Sequence, residues 1–241
     1  MFHIYGLLIG FSVLILIWVS ELLLLRGGKD KRLIGEAVSF ILFPALIGAR
    51  LYHVIHLWDY YSSNLTAIWR IWEGGLAIWG AVIGGMIGIM LFSRKKARDV
   101  EERAVEIFLT LADVLAIVMP LAQSVGRMGN FFNEELYGRE TDLPWGIVVS
   151  GREGVYHPLF AYEAILNLVL FVILLTLFGK KSGRGGALGG YLFGYGVIRI
   201  LLEPLREGVW TYQGLPVAII VGVFSIIIGG LLLIRHRKWV W

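Results

Sequence analysis

The chain has 241 residues, 57% of them hydrophobic, with a mean hydropathy of +0.74 and a formal net charge of +4. Soluble domains lie nearer ~45–50% apolar, so this balance excludes an ordinary water-soluble globule. Cysteine is absent, which removes disulfides, a thiolate metal site and a cysteine nucleophile, and five scattered histidines give no expectation of a metal centre.

The apolar excess is concentrated in blocks long enough to cross a bilayer, which takes about 20 residues per helix. In chain order these are roughly Tyr5–Leu25, Leu33–Leu51, Gly74–Phe92, Ala104–Val125, Pro158–Phe178, Gly186–Leu202 and Gly214–Ile234. The first block has no basic stretch before it and no small-residue cleavage site after it, so it is expected to remain as a helix rather than act as a signal peptide. Lys and Arg number four in "RGGKDKR", five in "SRKKARDVEER", three in "GKKSGRGG" and three in "RHRK". The loops between these are poor in both. The stretch His53–Glu73 has only Arg70, with Trp58, Tyr60, Tyr61, Trp69 and Trp72 suited to an interfacial belt. The expected fold is all-α, a polytopic membrane protein with seven transmembrane helices, the amino terminus outside and the carboxyl terminus cytoplasmic. It is expected to form one membrane domain over residues 1–241, with a small external head at about 127–157.

Glycines crowd the third and sixth blocks, in "GGLAIWGAVIGGMIG" and "GGALGGYLFGYG". Small residues let membrane helices approach closely, and helix packing is the expected use. No internal repeat or inverted two-fold pattern is visible, which counts against a repeat-built transporter.

Charges at membrane depth are costly and are usually paired or functional. Glu21, Glu36 and Glu106 lie near cytoplasmic ends and can reach the interface. Asp113 is deeper, and either a helix pairing or a polar cavity would suit it. Arg50, Arg127, Arg199, Glu203 and Glu163 all fall in the outer half of the bilayer by this topology, with Arg206 a turn beyond. Arg199 and Glu203 share a helix face at i, i+4. Arg127, Asn130 and Glu134 do the same if the fourth helix continues past Gly126. Guanidiniums bind phosphate oxygens in a planar, bidentate way and stay charged when desolvated. Converging near one leaflet, they point to a phosphate, most simply a lipid headgroup; a set of Arg–Glu locks between helices explains the same spacing. His157, opening "HPLFAYE" with Pro158 at a helix start, is either an interfacial histidine or a proton acceptor and phosphate donor.

The stretch "GRMGNFFNEELYG", Gly126 to Gly138, resembles the signature of the prolipoprotein diacylglyceryl transferase family, and it satisfies every fixed position of G-R-x-G-N-F-x-N-x-E-x-x-G. "YGLLIG", "GARLYHV", "WEGGLAIWGAVIGG", "HPLFAYE" and "GYGVIRILLEPLRE" follow in the family's order, so the resemblance covers nearly the whole chain. It implies a bacterial inner-membrane enzyme that moves the diacylglyceryl group of phosphatidylglycerol onto the lipobox cysteine of a preprolipoprotein, releasing glycerol phosphate. By position, the family's essential residues fall on Arg127, Asn130, Glu135, Gly138, Arg199, Glu203 and Tyr5. The lipid phosphate would be held by Arg127 and Asn130 with Arg50, Arg199 and Arg206, while His157, Glu163 and Gly138 complete the lipid site. Candidate bases for the thiol are Glu135, Glu203, Tyr5 and His157. The partners implied are phosphatidylglycerol, the lipobox segment and membrane lipids; no nucleic acid, metal or organic cofactor is expected. Trp79 stands where some members carry a histidine, and the glutamine-x-x-serine expected to open the last block is replaced by "GLPVAIIVG". An outer-leaflet lipid or anion transporter, or a non-catalytic lipid-binding protein, would use the same arginines.

Overall fold

A computed structural model describes residues 4–179 and 184–238; the side chains of residues 4, 5, 237 and 238 lie outside that description. The elements are helices, a short hairpin and a non-helical segment that holds the head. In order the helices are α1 (Ile4–Arg26), α2 (Arg32–His56), the short α3 (Trp58–Ser63), α4 (Ile78–Val100), α5 (Ala104–Phe132), α6 (Leu159–Phe178), α7 (Gly186–Leu202) and α8 (Val217–Lys238). Strands β1 (Thr211–Tyr212) and β2 (Leu215–Pro216) pair antiparallel just before α8.

Among the described residues, six helices are long and apolar enough to cross a membrane: all the long ones except α7, which has 17 residues. Large apolar side chains cover their outer faces, as Phe224, Ile227, Ile228 and Leu231 do on α8. In water such a surface would be an aggregation hazard, whereas in lipid it is the solvated face. A helix satisfies most of its backbone hydrogen bonds internally, as a hydrocarbon environment demands, and only Pro44 in α2 and Pro120 in α5 interrupt that ladder within the described long helices.

The helix ends differ from the hydropathy blocks where charge and helix propensity diverge. α4 runs on through Arg94, Lys95, Lys96 and Arg98 to Val100, because straight-chain cations favour the helix once outside the apolar layer. α5 continues past Val125 to Phe132, so Arg127 and Asn130 sit on its last turns. At ~1.5 Å per residue this 29-residue helix spans about 43 Å, longer than the ~30 Å hydrocarbon layer. α7 stops at Leu202, and Pro204 turns the chain through a 3₁₀ turn at Glu203–Leu205.

The chain packs as two compact units, residues 30–111 and residues 1–29 with 112–241. In the first, α2 lies against α4. A Cβ on Gly80, Gly84 or Gly88 would overlap the backbone carbonyls of Gly48, Pro44 and Phe40, so these three turns of α4 touch α2 main chain directly. Lys96 reaches Glu36 at 2.6 Å in the same unit. In the second unit, α7 packs between α6 and α8: Gly194 meets Leu170, while Gly189 and Gly196 meet the α8 backbone at Gly229 and Gly222. Asp113 on α5 is fully buried, and its carboxylate accepts from the backbone N–H groups of Arg184 (3.0 Å), Gly185 (2.9 Å) and Leu188 (2.9 Å). It therefore caps the amino terminus of α7, satisfying donors that a helix start leaves free and meeting the positive end of its dipole.

Candidate active site

Residues from the last turns of α5, the first turns of α6 and the end of α7 converge on two buried carboxylates. Glu163, in the second turn of α6, has a side chain 1% exposed. It accepts from Arg127 of α5 at 2.7 Å on one oxygen and from Arg206 at 3.2 Å on the other. Glu203, 4% exposed, accepts from Arg199 of α7 at 3.1 Å, with the Arg206 Nε at 3.8 Å. Arg127 donates in addition to Asn130 Oδ1 at 3.2 Å, and Asn130 passes the chain on to Glu135 through its Nδ2 at 3.2 Å. One hydrogen-bonded network thus joins Glu135, Asn130, Arg127, Glu163 and Arg206, and the Arg206 Nε contact ties it to Glu203 and Arg199.

Arg127, Arg199 and Arg206 crowd around Glu163 and Glu203, and with Glu135 at the end of the network three cations are matched by three carboxylates. Burial, then the neighbouring Arg199, presses the Arg206 guanidinium below its usual value, while Glu163 and Glu203 oppose that. The Nε groups of Arg127 and Arg206 are buried with no hydrogen-bond acceptor. An anion entering here meets the guanidiniums of Arg127, Arg199 and Arg206, whose side chains remain 26%, 18% and 22% exposed.

The other residues singled out in the sequence divide. Gly138 is a packing position: a Cβ there would lie 2.6 Å from the Leu205 carbonyl oxygen and 2.9 Å from the His157 Cβ. Its N–H donates to the His157 carbonyl at 2.8 Å, and Arg139 N–H donates to Leu205 at 2.8 Å, which anchors the segment carrying Arg206. His157 shares its Nδ1 with the Tyr162 hydroxyl (3.2 Å), which also accepts from the Trp145 indole at 2.7 Å. Glu134 adopts a left-handed turn after α5 and accepts from the Ser150 hydroxyl at 2.7 Å.

Arg50, expected among the anion ligands, donates its Nε to Ile68, its Nη1 to Gly74 and Gly75, and its Nη2 to Ala67 and Arg70, all backbone carbonyls. All five donors of a guanidinium are then used within residues 30–111, so Arg50 staples the loop after α3 to α2. Trp79 opens α4 half-exposed to its surroundings. The Tyr5 side chain lies outside the described residues.

Residues 1–235 match the family model described as prolipoprotein diacylglyceryl transferase. The chain belongs to that family. The phosphatidylglycerol–prolipoprotein diacylglyceryl transferase of Finegoldia magna is 34% identical over 235 residues, covering 97% of this chain and 91% of that protein. The transferase of the same name from Parasynechococcus marenigrum is 38% identical over 233 residues, covering 91% and 81%. That from Thermosynechococcus vestitus is 34% identical over 235 residues, covering 93% and 85%.

Within this family member, a polar layer that the sequence reading missed lies one turn inward from the cluster. Gln123, Asn167 and Tyr195 each precede or follow Arg127, Glu163 and Arg199 by four residues, on α5, α6 and α7. Gln123 donates to the Tyr191 hydroxyl at 3.0 Å, and Tyr191 stacks on Tyr195. Tyr195 lies within electrostatic reach of Glu163, Arg127, Arg199 and Arg206. Asn167 is fully buried with neither amide atom bonded. The i, i+4 spacing to the charged residues was the available signal.

Proposed function

We infer that this chain transfers the diacylglyceryl group of phosphatidylglycerol to the lipobox cysteine thiol of prolipoproteins, releasing glycerol phosphate. The observation that carries this reading is the convergence of Arg127, Arg199 and Arg206 on Glu163 and Glu203 at one end of three membrane helices, in a chain whose relatives bear that activity in their names. The chain is proposed to cross the bacterial inner membrane seven times. α7 makes the seventh crossing together with its 3₁₀ turn, the amino terminus lies outside, and the cluster faces the outer leaflet. The alternation of Lys and Arg between loops supports that orientation.

The reaction is a displacement at the glycerol carbon that bears the phosphate. A sulfur–carbon bond forms, the carbon–oxygen bond to phosphate breaks, and its electron pair stays on the phosphate oxygen. Arg127, Arg199 and Arg206 meet the charge that builds on that oxygen, and Asn130 fixes Arg127. The thiol proton must go to a base. Glu203 is held by two guanidiniums, whereas Glu135 is exposed and bonded only to the amides of Asn130 and Asn133. Glu135 is therefore assigned as the acceptor. A thiol with a pKa of ~8.5 is already a few per cent ionised near neutrality, and adjacent cations raise that fraction, so the base works on a willing partner.

The test is purified protein with phosphatidylglycerol labelled in its acyl chains and a peptide carrying the lipobox cysteine. Label appearing in a thioether on that cysteine, and lost in Arg127→Ala, supports the reading. Lipid movement without covalent transfer would identify a transporter, and binding alone a lipid-binding protein; either result refutes the transferase.

A further inference from the structure

The head residues 138–157 build a small sheet that ends in an open edge. Gly138 to Thr141 pairs on one side with Leu205–Arg206 and on the other with Val155–His157. Beyond Tyr156 lies the extended segment Gly146–Val148, joined to it by a single antiparallel bridge at Ile147. Ile147 exchanges both main-chain bonds with Tyr156, at 3.0 and 2.9 Å. Alternation along a strand then turns the Val148 N–H and C=O, and the Gly146 C=O, away from the sheet. Among the described residues no hydrogen bond engages them. Val148 is 78% exposed and Trp145 57% exposed. Proteins normally blunt such an edge with charge, proline or a covering element, and here the strand is bare and apolar.

A groove of about 580 Å³ runs beside this edge, lined by Phe131, Phe132, Glu134, Tyr137, Ile147 and Val148. Glu134 and Tyr137 also line a second recess of about 310 Å³ that holds Glu135, Arg152, Arg206 and Glu207. The groove therefore adjoins the recess that holds the proposed proton acceptor. Burial first, then the charges of Glu134 and Glu135, pushes the Tyr137 phenol above its usual value, which keeps it a neutral hydroxyl where the two recesses meet.

Resting on the transferase reading above, we propose that the prolipoprotein docks by adding its extended lipobox segment as a strand to the Gly146–Val148 edge. An apolar side chain of that segment enters the Phe131/Phe132/Tyr137 groove, and the acceptor cysteine is carried toward Glu135 and Arg206. Three observations select a polypeptide over a lipid. The unpaired groups are main-chain donors and acceptors in strand register, which another main chain matches and an acyl tail does not. The groove beside them takes alternate side chains of such a strand. The second recess, which shares Glu134 and Tyr137 with the groove, holds the proposed proton acceptor, which the thiol must reach and the lipid tails must not.

The experiment measures initial rates of transfer with labelled phosphatidylglycerol and a synthetic lipobox peptide, varying each substrate in turn. Val148→Pro removes the outward N–H while breaking no bond of the sheet, since that N–H has no partner in it. It is expected to raise KM for the peptide by about tenfold, the order of one or two lost main-chain hydrogen bonds, with KM for the lipid unchanged. The same edge is probed from the other partner by N-methylating successive amides of the peptide: alternate positions near the cysteine should lose affinity for the unaltered enzyme. This second arm does not depend on how Val148→Pro folds. Peptide KM insensitive to N-methylation at every position would overturn the docking mode while leaving the transferase reading intact. A rise in lipid KM in Val148→Pro with unchanged peptide KM would mean that the edge meets the membrane surface, and would also overturn it. Absence of any transfer by the parent protein would remove the function itself and this inference with it.

Discussion

Replacing Glu163 by glutamine keeps the shape of the α6 carboxylate and removes its charge, leaving Arg127 and Arg206 without their shared counter-ion. Each pair is close, at 2.7 and 3.2 Å, around a side chain 1% exposed. At an effective dielectric near 20, unit charges ~4 Å apart attract by about 4 kcal/mol. The two arginine side chains remain 26% and 22% exposed, so water screens part of this. Removing one partner of a buried pair costs ~3–5 kcal/mol, and glutamine still accepts a hydrogen bond, so the lower end, about 3 kcal/mol, is expected. For a chain of this size that is roughly 6–12 °C in thermal midpoint, measured in detergent. The sharper readout is the response to glycerol phosphate. Its phosphate occupies the charge position that Glu163 vacates, so the ligand should raise the midpoint of Glu163→Gln more than that of the parent protein. A midpoint unchanged by the substitution would show that Glu163 does not carry the two guanidiniums. Equal stabilisation of both proteins by the ligand would show that the anion does not meet Arg127 and Arg206.

Gly138→Ala forces a Cβ against the Leu205 carbonyl and the His157 Cβ, neither of which can yield. A loss of about 1–3 kcal/mol is expected, with a higher KM for lipid because Arg206 follows Leu205; kinetics at parental level would refute this packing role. Arg50→Lys replaces five carbonyl contacts with at most three donors, so proteolysis should begin in residues 65–75 while KM for lipid holds steady in the folded fraction. A raised lipid KM with an intact loop would return Arg50 to the anion site. Asn167→Leu removes a fully buried amide with no bonding partner and should gain roughly 1–3 kcal/mol in thermal stability; a loss of stability would reveal a bound partner for that amide.

Much of the scaffold was legible in the chain because hydrocarbon makes one demand, an apolar run with its backbone satisfied internally, and such runs end where charge begins. α7 matches its block at both ends. The glycine ladders on α4 and α7 were readable as close approaches, since a residue with no side chain at i, i+4 has few other uses in lipid. The head was not legible. Residues 138–157 fold through pairings between Gly138, Ile147, Tyr156 and Arg206, which are separated by loops and carry no periodic pattern.

The amino-acid sequence by itself determined that this is a membrane protein of the prolipoprotein diacylglyceryl transferase family and which arginines and glutamates are candidates for its site. Motif spacing and hydropathy are local properties of the chain. Only the tertiary structure decided what each charge meets. Arg50 and Arg127 look alike in sequence, both near helix ends beside small residues. One is saturated by backbone carbonyls and the other is shared between Asn130 and Glu163, with its Nε still unbonded. A guanidinium does its work through partners that lie on other helices, and no local spacing encodes them. That is why Glu163 emerged as the hub of the cluster and Asp113 as the cap of α7 only once the helices were packed together.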